Sequence, residues 1–184
     1  MGTGDGRFVL AHARRNPDRL VVGIDANASR MVEASARAAR PPAKGGLPNA
    51  LFVVSSLEGL PQGLVRLADL VTVHFPWGTL LAAAAGRDRA LAGRLAALLR
   101  PAGELRLLLS SAPVDGEQAL DPASVVAAYR PLGLVATEVR PASRGDAAAA
   151  ASSWGKRLLA NARPGRTACL IRLRRPSSVN SGDG

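Results

Sequence analysis

Residues 2–25 read GTGDGRFVLAHARRNPDRLVVGID and combine a glycine-rich turn, a helix-like stretch and a short apolar strand. The three glycines of GTGDG predict a turn that brings backbone N–H groups against a ligand. The strand at 20–24 ends in Asp25, 19 residues after Gly6, where a carboxylate can accept hydrogen bonds from two ribose hydroxyls. This pattern favours a nucleoside cofactor over a purely structural turn, and the lack of a GxGxxG motif disfavours NAD.

Strand-like runs rich in valine, isoleucine and leucine alternate with helix-like stretches rich in alanine, arginine and leucine through the rest of the chain. This alternation predicts an α/β fold with a mainly parallel sheet covered by helices. Strands are expected at 20–24, 51–55, 68–75, 104–110, 134–140 and 168–174, and helices at 8–16, 29–40, 79–100, 122–129 and 147–161. Gly86 offers a point of interruption in the longest helical region. We expect one domain over residues 1–175 and a disordered tail over 176–184.

Arginine and lysine number 24 against 14 acidic residues, which gives the chain a formal charge of +10. Such an excess is typical of proteins that bind a polyanion or a membrane surface, and we favour nucleic acid as the partner. An arginine-rich composition is the alternative source of the charge, because only Lys44 and Lys156 are lysines. Cys169 is the single cysteine, so no disulfide or cysteine metal site can form within the chain. There is no apolar run of about 18 residues and no secretion leader, and we therefore expect a cytoplasmic location.

Both tryptophans lie beside glycine in a chain that contains 3% aromatic residues. Trp77 belongs to the motif Phe75-Pro76-Trp77-Gly78 at the end of a predicted strand, which is the edge where open α/β sheets bind ligands. Its indole could stack on a flipped base while main-chain carbonyls bind the exocyclic amine of that base. Trp154 is flanked by cations and could complete a sandwich around the same base. Packing in the core or against a helix is the alternative role for each tryptophan.

Six blocks of the sequence match one known family. They are Gly2-Thr3-Gly4-Asp5-Gly6, NPDRLVVGIDA at 16–26, Ser29-Arg30-Met31, Ala43-Lys44-Gly45-Gly46-Leu47-Pro48-Asn49, Pro76-Trp77-Gly78-Thr79-Leu80-Leu81, and Ser153-Trp154 with Arg157-Leu158. The fourth and fifth blocks together are specific, whereas the glycine turn alone is not. On these residues most of the chain resembles the Kam-type 16S ribosomal RNA adenine-N1 methyltransferases, which confer aminoglycoside resistance.

The resemblance implies a Rossmann-like, class I methyltransferase fold with an antiparallel C-terminal strand. It implies methyl transfer from S-adenosylmethionine to N1 of one decoding-site adenine in 16S rRNA of the 30S subunit, by a monomer without a metal ion or membrane partner. The residues implied to bind S-adenosylmethionine are Gly2, Gly4, Asp25, Leu57, Glu58 and Thr79. Those implied to hold the target base are Trp77, Trp154, Pro76 and Ser152, and those implied to bind phosphates are Arg40, Lys44, Lys156, Arg157 and Arg163.

No general base is evident, and none is needed if catalysis rests on alignment of adenine N1 with the sulfonium methyl group. His74 lies near Pro76, but the family has an apolar residue at this position, so we interpret His74 as structural.

The chain departs from the family at its beginning. Family members carry a first strand that ends in an aspartate two residues before the first glycine, and both are absent here. Met1 stands where valine is common, and a GTG valine codon misread as a start would produce the same beginning. We therefore expect a truncated or misassigned reading frame, with a strand and an aspartate encoded in frame upstream. A stop codon immediately before Met1 would contradict this expectation.

Two other functions stay open at this point. A noncatalytic RNA-binding remnant would bind RNA in a salt-dependent way without binding the cofactor. A transfer RNA guanine-N7 methyltransferase would keep the chemistry and change the substrate, and mapping of the modified nucleotide would identify it.

Overall fold

The computed structural model describes residues 1–110, 119–150 and 168–177, and the chain divides into two compact units. The first unit is Met1–Gly59 with Ser143–Pro164, and the second is Leu60–Ala142 with Gly165–Gly184. The helices are α1 (Arg7–Arg15), α2 (Ala28–Ala38), α3 (Gly78–Ala84), α4 (Arg89–Ala97), α5 (Pro122–Tyr129) and α6 (Arg144–Ala149). The strands are β1 (Val21–Asp25), β2 (Ala50–Val54), β3 (Ala68–His74), β4 (Leu99–Ser110), β5 (Val135–Pro141) and β6 (Ala168–Arg174).

In the first unit, β1 and β2 form a two-stranded parallel sheet, in which Val21 lies opposite Ala50 and Asp25 lies opposite Val54. Helices α1 and α2 pack beside this sheet through small and branched side chains. One buried cluster of the unit consists of Val9, Leu10, Ala13, Ala34, Ala38 and Ala50. Because the strands are parallel, their carboxyl ends meet at one edge, and this edge carries Asp25.

Gly6 fixes the turn that precedes α1. Its φ is +71°, and an added Cβ atom would lie 2.4 Å from Ala34 Cβ and 2.8 Å from Phe52 Cε1. Glycine is therefore required by the backbone conformation and also by the close approach of α2 and β2. The same turn is held to β1, because Thr3 donates its backbone N–H to the Ile24 carbonyl at 3.2 Å.

The second unit contains a four-stranded sheet with the order β3-β4-β6-β5. Strands β3 and β4 are parallel, whereas β6 is antiparallel to both of its neighbours. The centre of one face of the sheet is apolar and buried, with Leu105, Leu107, Leu109, Ile171 and Leu173. Tyr129, at the end of α5, donates its hydroxyl to the Ala83 carbonyl at 2.8 Å, and burial raises the pKa of this hydroxyl well above its ordinary value.

The predicted alternation of strands and helices is confirmed, and α5 and β6 have the predicted bounds. The helical region predicted at 79–100 is interrupted at Gly86, as predicted, and forms two helices, because Gly86 adopts a φ of +73° and Asp88 then caps α4 by accepting the Leu91 N–H. The prediction was wrong at its C-terminal end. Its last two residues, Leu99 and Arg100, belong to β4. The helix predicted at 147–161 begins earlier, as α6, and its residues 151–161 lie outside the described residues.

The single sheet expected from the sequence is found as two sheets, with two parallel and two antiparallel strand pairs. Within residues 1–110, the first strand is β1, and no strand precedes the glycine turn. The predicted domain over residues 1–175 stays a prediction. Residues 178–184 of the predicted tail lie outside the described residues.

Candidate active site

Asp25 joins the glycine turn to the carboxyl end of β1. Its Oδ2 accepts the Gly4 backbone N–H at 2.8 Å, and its Oδ1 accepts the Asn27 backbone N–H at 2.9 Å. Its main-chain carbonyl accepts the Ser55 N–H at 3.0 Å, which fixes the end of β2 beside it. An ionised carboxylate can accept about four hydrogen bonds, so each oxygen of Asp25 keeps capacity for one more donor, such as a ribose hydroxyl.

Gly4 leaves open space beside the Asp25 carboxylate. Its φ is +56°, and an added Cβ atom would meet no atom within 4 Å, in contrast to Gly6 two residues later. Gly2 also has a positive φ, at +66°, and is exposed. The turn therefore combines a backbone conformation that favours glycine with room for a bound molecule against its main chain.

Leu57 and Glu58 follow β2 at the same edge of the first unit. Leu57 is buried, whereas Glu58 is exposed. Five of the six predicted cofactor residues therefore lie in segments at or next to the carboxyl ends of β1 and β2. They are Gly2, Gly4, Asp25, Leu57 and Glu58. Thr79, the sixth residue, belongs to α3 in the second unit.

The α-amino group of Met1 lies in the same region as Asp25. Burial lowers the pKa of this amino group from 8.0 to about 6, and the negative charge of Asp25 opposes the shift. At neutral pH the folded chain therefore favours the neutral amine, whereas the unfolded chain favours the protonated one.

This difference predicts a pH dependence for the 184-residue chain. Between pH 8 and pH 6 the unfolded state binds more protons than the folded state, so the free energy of unfolding should fall as the pH is lowered. Urea unfolding at pH 6, 7 and 8 would measure it. The control is the same chain with an acetylated N-terminus, in which this part of the pH dependence should vanish. The prediction is wrong if the two proteins respond identically to pH.

The turn after β3 carries an exposed tryptophan on a strained backbone. Phe75 has a φ of +46°, which is rare for a residue with a side chain and is further disfavoured before proline. Its buried ring and its N–H, which donates to the Leu108 carbonyl at 2.8 Å, hold this conformation. Gly78 has a φ of +55°, and between these two residues Trp77 is 51% exposed. Observed strain of this kind is concentrated at functional sites.

Pro76 and Trp77 therefore lie together at the end of β3, as predicted. His74 is the last residue of β3, opposite Leu108, and is half-buried. No observation tests its structural interpretation. Arg40 and Lys44 are exposed in the first unit, between α2 and β2. The other predicted residues, Ser152, Trp154, Lys156, Arg157 and Arg163, lie outside the described residues.

The sequence did not predict the structural roles of three residues that organise these segments. They are Asn27, whose N–H binds Asp25, Phe75 with its positive φ, and Asn49, whose side chain makes three hydrogen bonds to main-chain carbonyls. An asparagine two residues after a strand-end aspartate is a recognisable signal for a local turn. The contacts of Phe75 and Asn49 join segments distant in sequence, and no local pattern indicates them.

No helix in residues 1–110, 119–150 or 168–177 is both long and apolar enough to cross a membrane. In the same ranges, no group of three or more histidine, cysteine, aspartate or glutamate side chains is arranged to hold a metal ion.

A family model described as NpmA, 16S rRNA (adenine(1408)-N(1))-methyltransferase, matches residues 1–172. The chain belongs to this family. The 16S rRNA (adenine(1408)-N(1))-methyltransferase of Streptoalloteichus hindustanus is 36% identical over 169 residues, which are 86% of this chain and 78% of that protein. The enzyme of the same name from Streptoalloteichus tenebrarius is 44% identical over 110 residues, 60% of this chain and 50% of that protein. The alignment thus spans half the length of this second relative.

A solved structure shows the same fold. It is the crystal structure of a mutant 16S rRNA (adenine(1408)-N(1))-methyltransferase from Catenulisporales acidiphilia with cosubstrate SAM. It matches with a TM-score of 0.83 and 31% identity, over 98% of this chain and 86% of that one. The family resemblance and the α/β methyltransferase fold predicted from the sequence are therefore confirmed. The match supports the ribosomal RNA prediction and not the transfer RNA alternative.

Proposed function

We propose that this chain binds S-adenosylmethionine and transfers its methyl group to N1 of adenine 1408 in 16S rRNA. The observation that carries the proposal is the hydrogen bond from the Gly4 N–H to the Asp25 carboxylate, in a chain of this family. The proposed substrate is the assembled small ribosomal subunit, and the proposed consequence is aminoglycoside resistance. A monomeric state and a cytoplasmic location belong to the same proposal.

The first unit fits the cofactor in two respects. The main chain at Gly4 faces open space, so a ligand can approach its backbone without displacing a side chain. Asp25 is already oriented by two backbone N–H groups, which leaves one acceptor position on each oxygen for the vicinal hydroxyls of a ribose. Leu57, which is buried after β2, and the exposed Glu58 beside it are proposed to lie near the adenine ring, and Thr79 of α3 is proposed to contribute to cofactor binding.

S-adenosylmethionine supplies a methyl group on a positively charged sulfur, and transfer moves that positive charge to the adenine ring. Adenine N1 attacks through its own lone pair, so no protein group has to remove a proton in this step. The task of the chain is therefore to align the reactants and exclude water, which can supply several kcal/mol of barrier reduction. We propose that Trp77 stacks on the target base and that Pro76 restricts the backbone that presents it.

A substitution at Gly78 tests whether the backbone of this turn matters for activity. Gly78→Ala adds a Cβ atom that meets nothing within 4 Å, so its cost is backbone strain at a φ of +55°, about 1 kcal/mol. We expect kcat for methyl transfer to fall by roughly tenfold, because the turn that presents Trp77 rearranges. Single-turnover kinetics would measure this decrease.

Gly133→Ala provides the matched control. Gly133 has a φ of +78°, and an added Cβ atom would meet only Arg175 Nη1, at 3.6 Å. We expect a similar loss of stability and unchanged kcat. Equal decreases in kcat for both variants would show that strain at the Trp77 turn has no specific role.

The proposed function is tested by two measurements on the 184-residue chain. Calorimetry measures binding of S-adenosylmethionine, and transfer of a radioactive methyl group is followed with small subunits, protein-free 16S rRNA and transfer RNA as substrates. We expect cofactor binding and methylation of small subunits.

Other outcomes would favour the alternatives. Salt-dependent binding to small subunits without any cofactor binding would favour the noncatalytic RNA-binding remnant. Methylation of transfer RNA instead of small subunits would contradict the proposed substrate.

A further inference from the structure

Asn49 ties the loop before β2 to the end of α1. Its side-chain nitrogen donates to the main-chain carbonyls of Ala13, Asn16 and Arg19, each at 3.0 Å. An amide nitrogen has two hydrogens, so at least one of them is shared between two carbonyls. The Asn49 carbonyl in turn accepts the Val21 N–H at 2.8 Å, at the start of β1. One side chain thus fixes the C-terminal turn of α1 and the residues that follow it.

The same loop is also fixed to the end of α2. Leu47 donates its N–H to the Ala38 carbonyl at 2.9 Å, and Gly46 donates to the Pro41 carbonyl at 3.2 Å. A Cβ atom at Gly46 would lie 1.6 Å from the Arg40 carbonyl oxygen, so the loop packs directly on the chain that leaves α2. The ends of α1 and α2 and the loop at 41–49 therefore form one region of the first unit.

This region carries six exposed cations, which we name the basic surface: Arg14, Arg15, Arg19, Arg37, Arg40 and Lys44. Among the described residues, none of their side chains has a salt-bridge or hydrogen-bond partner. Asp18 is the one acidic residue in the turn between Asn16 and Arg19. Elsewhere among the described residues Arg100, Arg106, Arg140 and Arg172 pair with carboxylates, whereas Arg89 and Arg130 of the second unit do not, so the distinguishing property of the basic surface is that six unpaired cations lie in one region.

Helix stabilisation explains part of the basic surface. Arginines in the last turn of a helix interact with its dipole, and Arg14, Arg15 and Arg37 have this position. Arg19 and Arg40 lie beyond the last residues of α1 and α2, where the dipole effect has largely decayed, and Lys44 ends a single 3-10 turn at residues 42–44 that has only three residues. Their placement beside the helix ends needs another explanation.

The basic surface lies at the opposite end of β1 from the cofactor residues. Asn49 contacts the chain at Val21, the first residue of β1, whereas Asp25 is the last. Four steps of about 3.3 Å separate them, roughly 13 Å along the strand. Contacts made at this surface therefore lie away from the glycine turn and would position the protein on its substrate.

We propose that Arg14, Arg15 and Arg19 form, with Arg37, Arg40 and Lys44, one continuous surface that binds the phosphates of folded RNA. This inference rests on the proposed function. It adds Arg14, Arg15 and Arg19, on α1 and in the turn after α1, to the phosphate-binding residues Arg40 and Lys44 predicted from the sequence. Unpaired guanidinium groups suit phosphate oxygens because each presents several fixed N–H donors. Asn49 is the positioning residue that holds the two groups of cations side by side.

The test compares two double variants with the same loss of charge. Arg15→Gln with Arg19→Gln removes two cations of the basic surface, one on a helix and one in a turn. Arg89→Gln with Arg130→Gln removes two exposed cations from the second unit. Binding of each variant and of the parent to purified small subunits is measured over a range of salt concentrations, and calorimetry with S-adenosylmethionine checks that the first unit remains folded.

We expect the first variant to bind small subunits roughly tenfold or more weakly and the slope of log affinity against log salt to decrease in magnitude by up to about 2. The control should keep the affinity and the slope of the parent, and both variants should bind the cofactor normally. Equal affinities of the two variants would overturn the proposal. If the variant with Arg15→Gln and Arg19→Gln binds small subunits like the parent but no longer binds anionic lipid vesicles, the basic surface binds a membrane and the RNA proposal is wrong.

The same experiment separates this inference from the proposed function. A parent chain that binds small subunits without methylating them contradicts the proposed function, and the basic surface is then judged on the binding data alone. A parent chain that does not bind small subunits contradicts both.

Discussion

Asp25→Ala is expected to weaken the binding of S-adenosylmethionine by roughly 100-fold or more. The substitution removes the acceptors of two ribose hydroxyls, and hydrogen bonds to a charged group contribute about 1.5–3 kcal/mol each. It also releases the Gly4 and Asn27 N–H groups, so the glycine turn loses its hydrogen bond to the end of β1. Calorimetric titration at neutral pH measures the effect.

Two further variants make this test specific. Asp25→Asn keeps the size of the side chain but directs an NH₂ group at one of the two backbone N–H donors. Most of the loss of S-adenosylmethionine affinity expected for Asp25→Ala should therefore remain. Asp18→Ala removes an exposed acid from the same unit and should leave the affinity unchanged. An affinity of Asp25→Ala within threefold of the parent would remove the main physical support for the cofactor site.

Trp77→Ala is expected to lower kcat/KM for methylation of small subunits by about 5-fold to 150-fold. Stacking of one base on an aromatic side chain contributes about 1–3 kcal/mol, and the alanine variant loses this contribution. The indole is 51% exposed, so its removal should cost little stability and should leave cofactor affinity within about twofold. Initial rates at several subunit concentrations would establish the decrease.

Trp77→Phe should retain most of the activity because it keeps a flat aromatic surface. Leu67→Ala is the control for loss of an exposed apolar side chain, since Leu67 is 63% exposed in the same unit. If Trp77→Ala and Leu67→Ala have the same small effect, Trp77 is a surface residue without a role in base binding.

The fold was largely predictable because its signals are local. Runs of branched apolar residues marked the strands, and the spacing between the glycine turn and Asp25 predicted that the two lie at one edge of the sheet. The error at 79–100 arose because alanine and leucine favour helix throughout that region. The strand β4 begins before Pro101, and Ala102 then adopts a φ of +64° beside Gly103, an irregular segment that composition does not reveal.

For the candidate site, the sequence predicts residues and not their geometry. Asp25 was predicted as a cofactor residue, but its hydrogen bonds to Gly4 and Asn27 depend on how the turn folds back on β1. The strain at Phe75 depends on Leu108, 33 residues away in sequence, through one backbone hydrogen bond. In the same way, Asn49 organises the basic surface through carbonyls 30 to 36 residues earlier, and a local pattern contains no trace of this contact.

We propose that this chain methylates N1 of one adenine in 16S rRNA. Primer extension on 16S rRNA from small subunits incubated with the chain and S-adenosylmethionine detects this product, because a methyl group on N1 blocks base pairing and stops reverse transcription. We expect a new stop at adenine 1408 that requires S-adenosylmethionine and is lost with Asp25→Ala. Incorporated methyl groups without a stop at this adenine, or no incorporation by a chain that binds the cofactor, would contradict it.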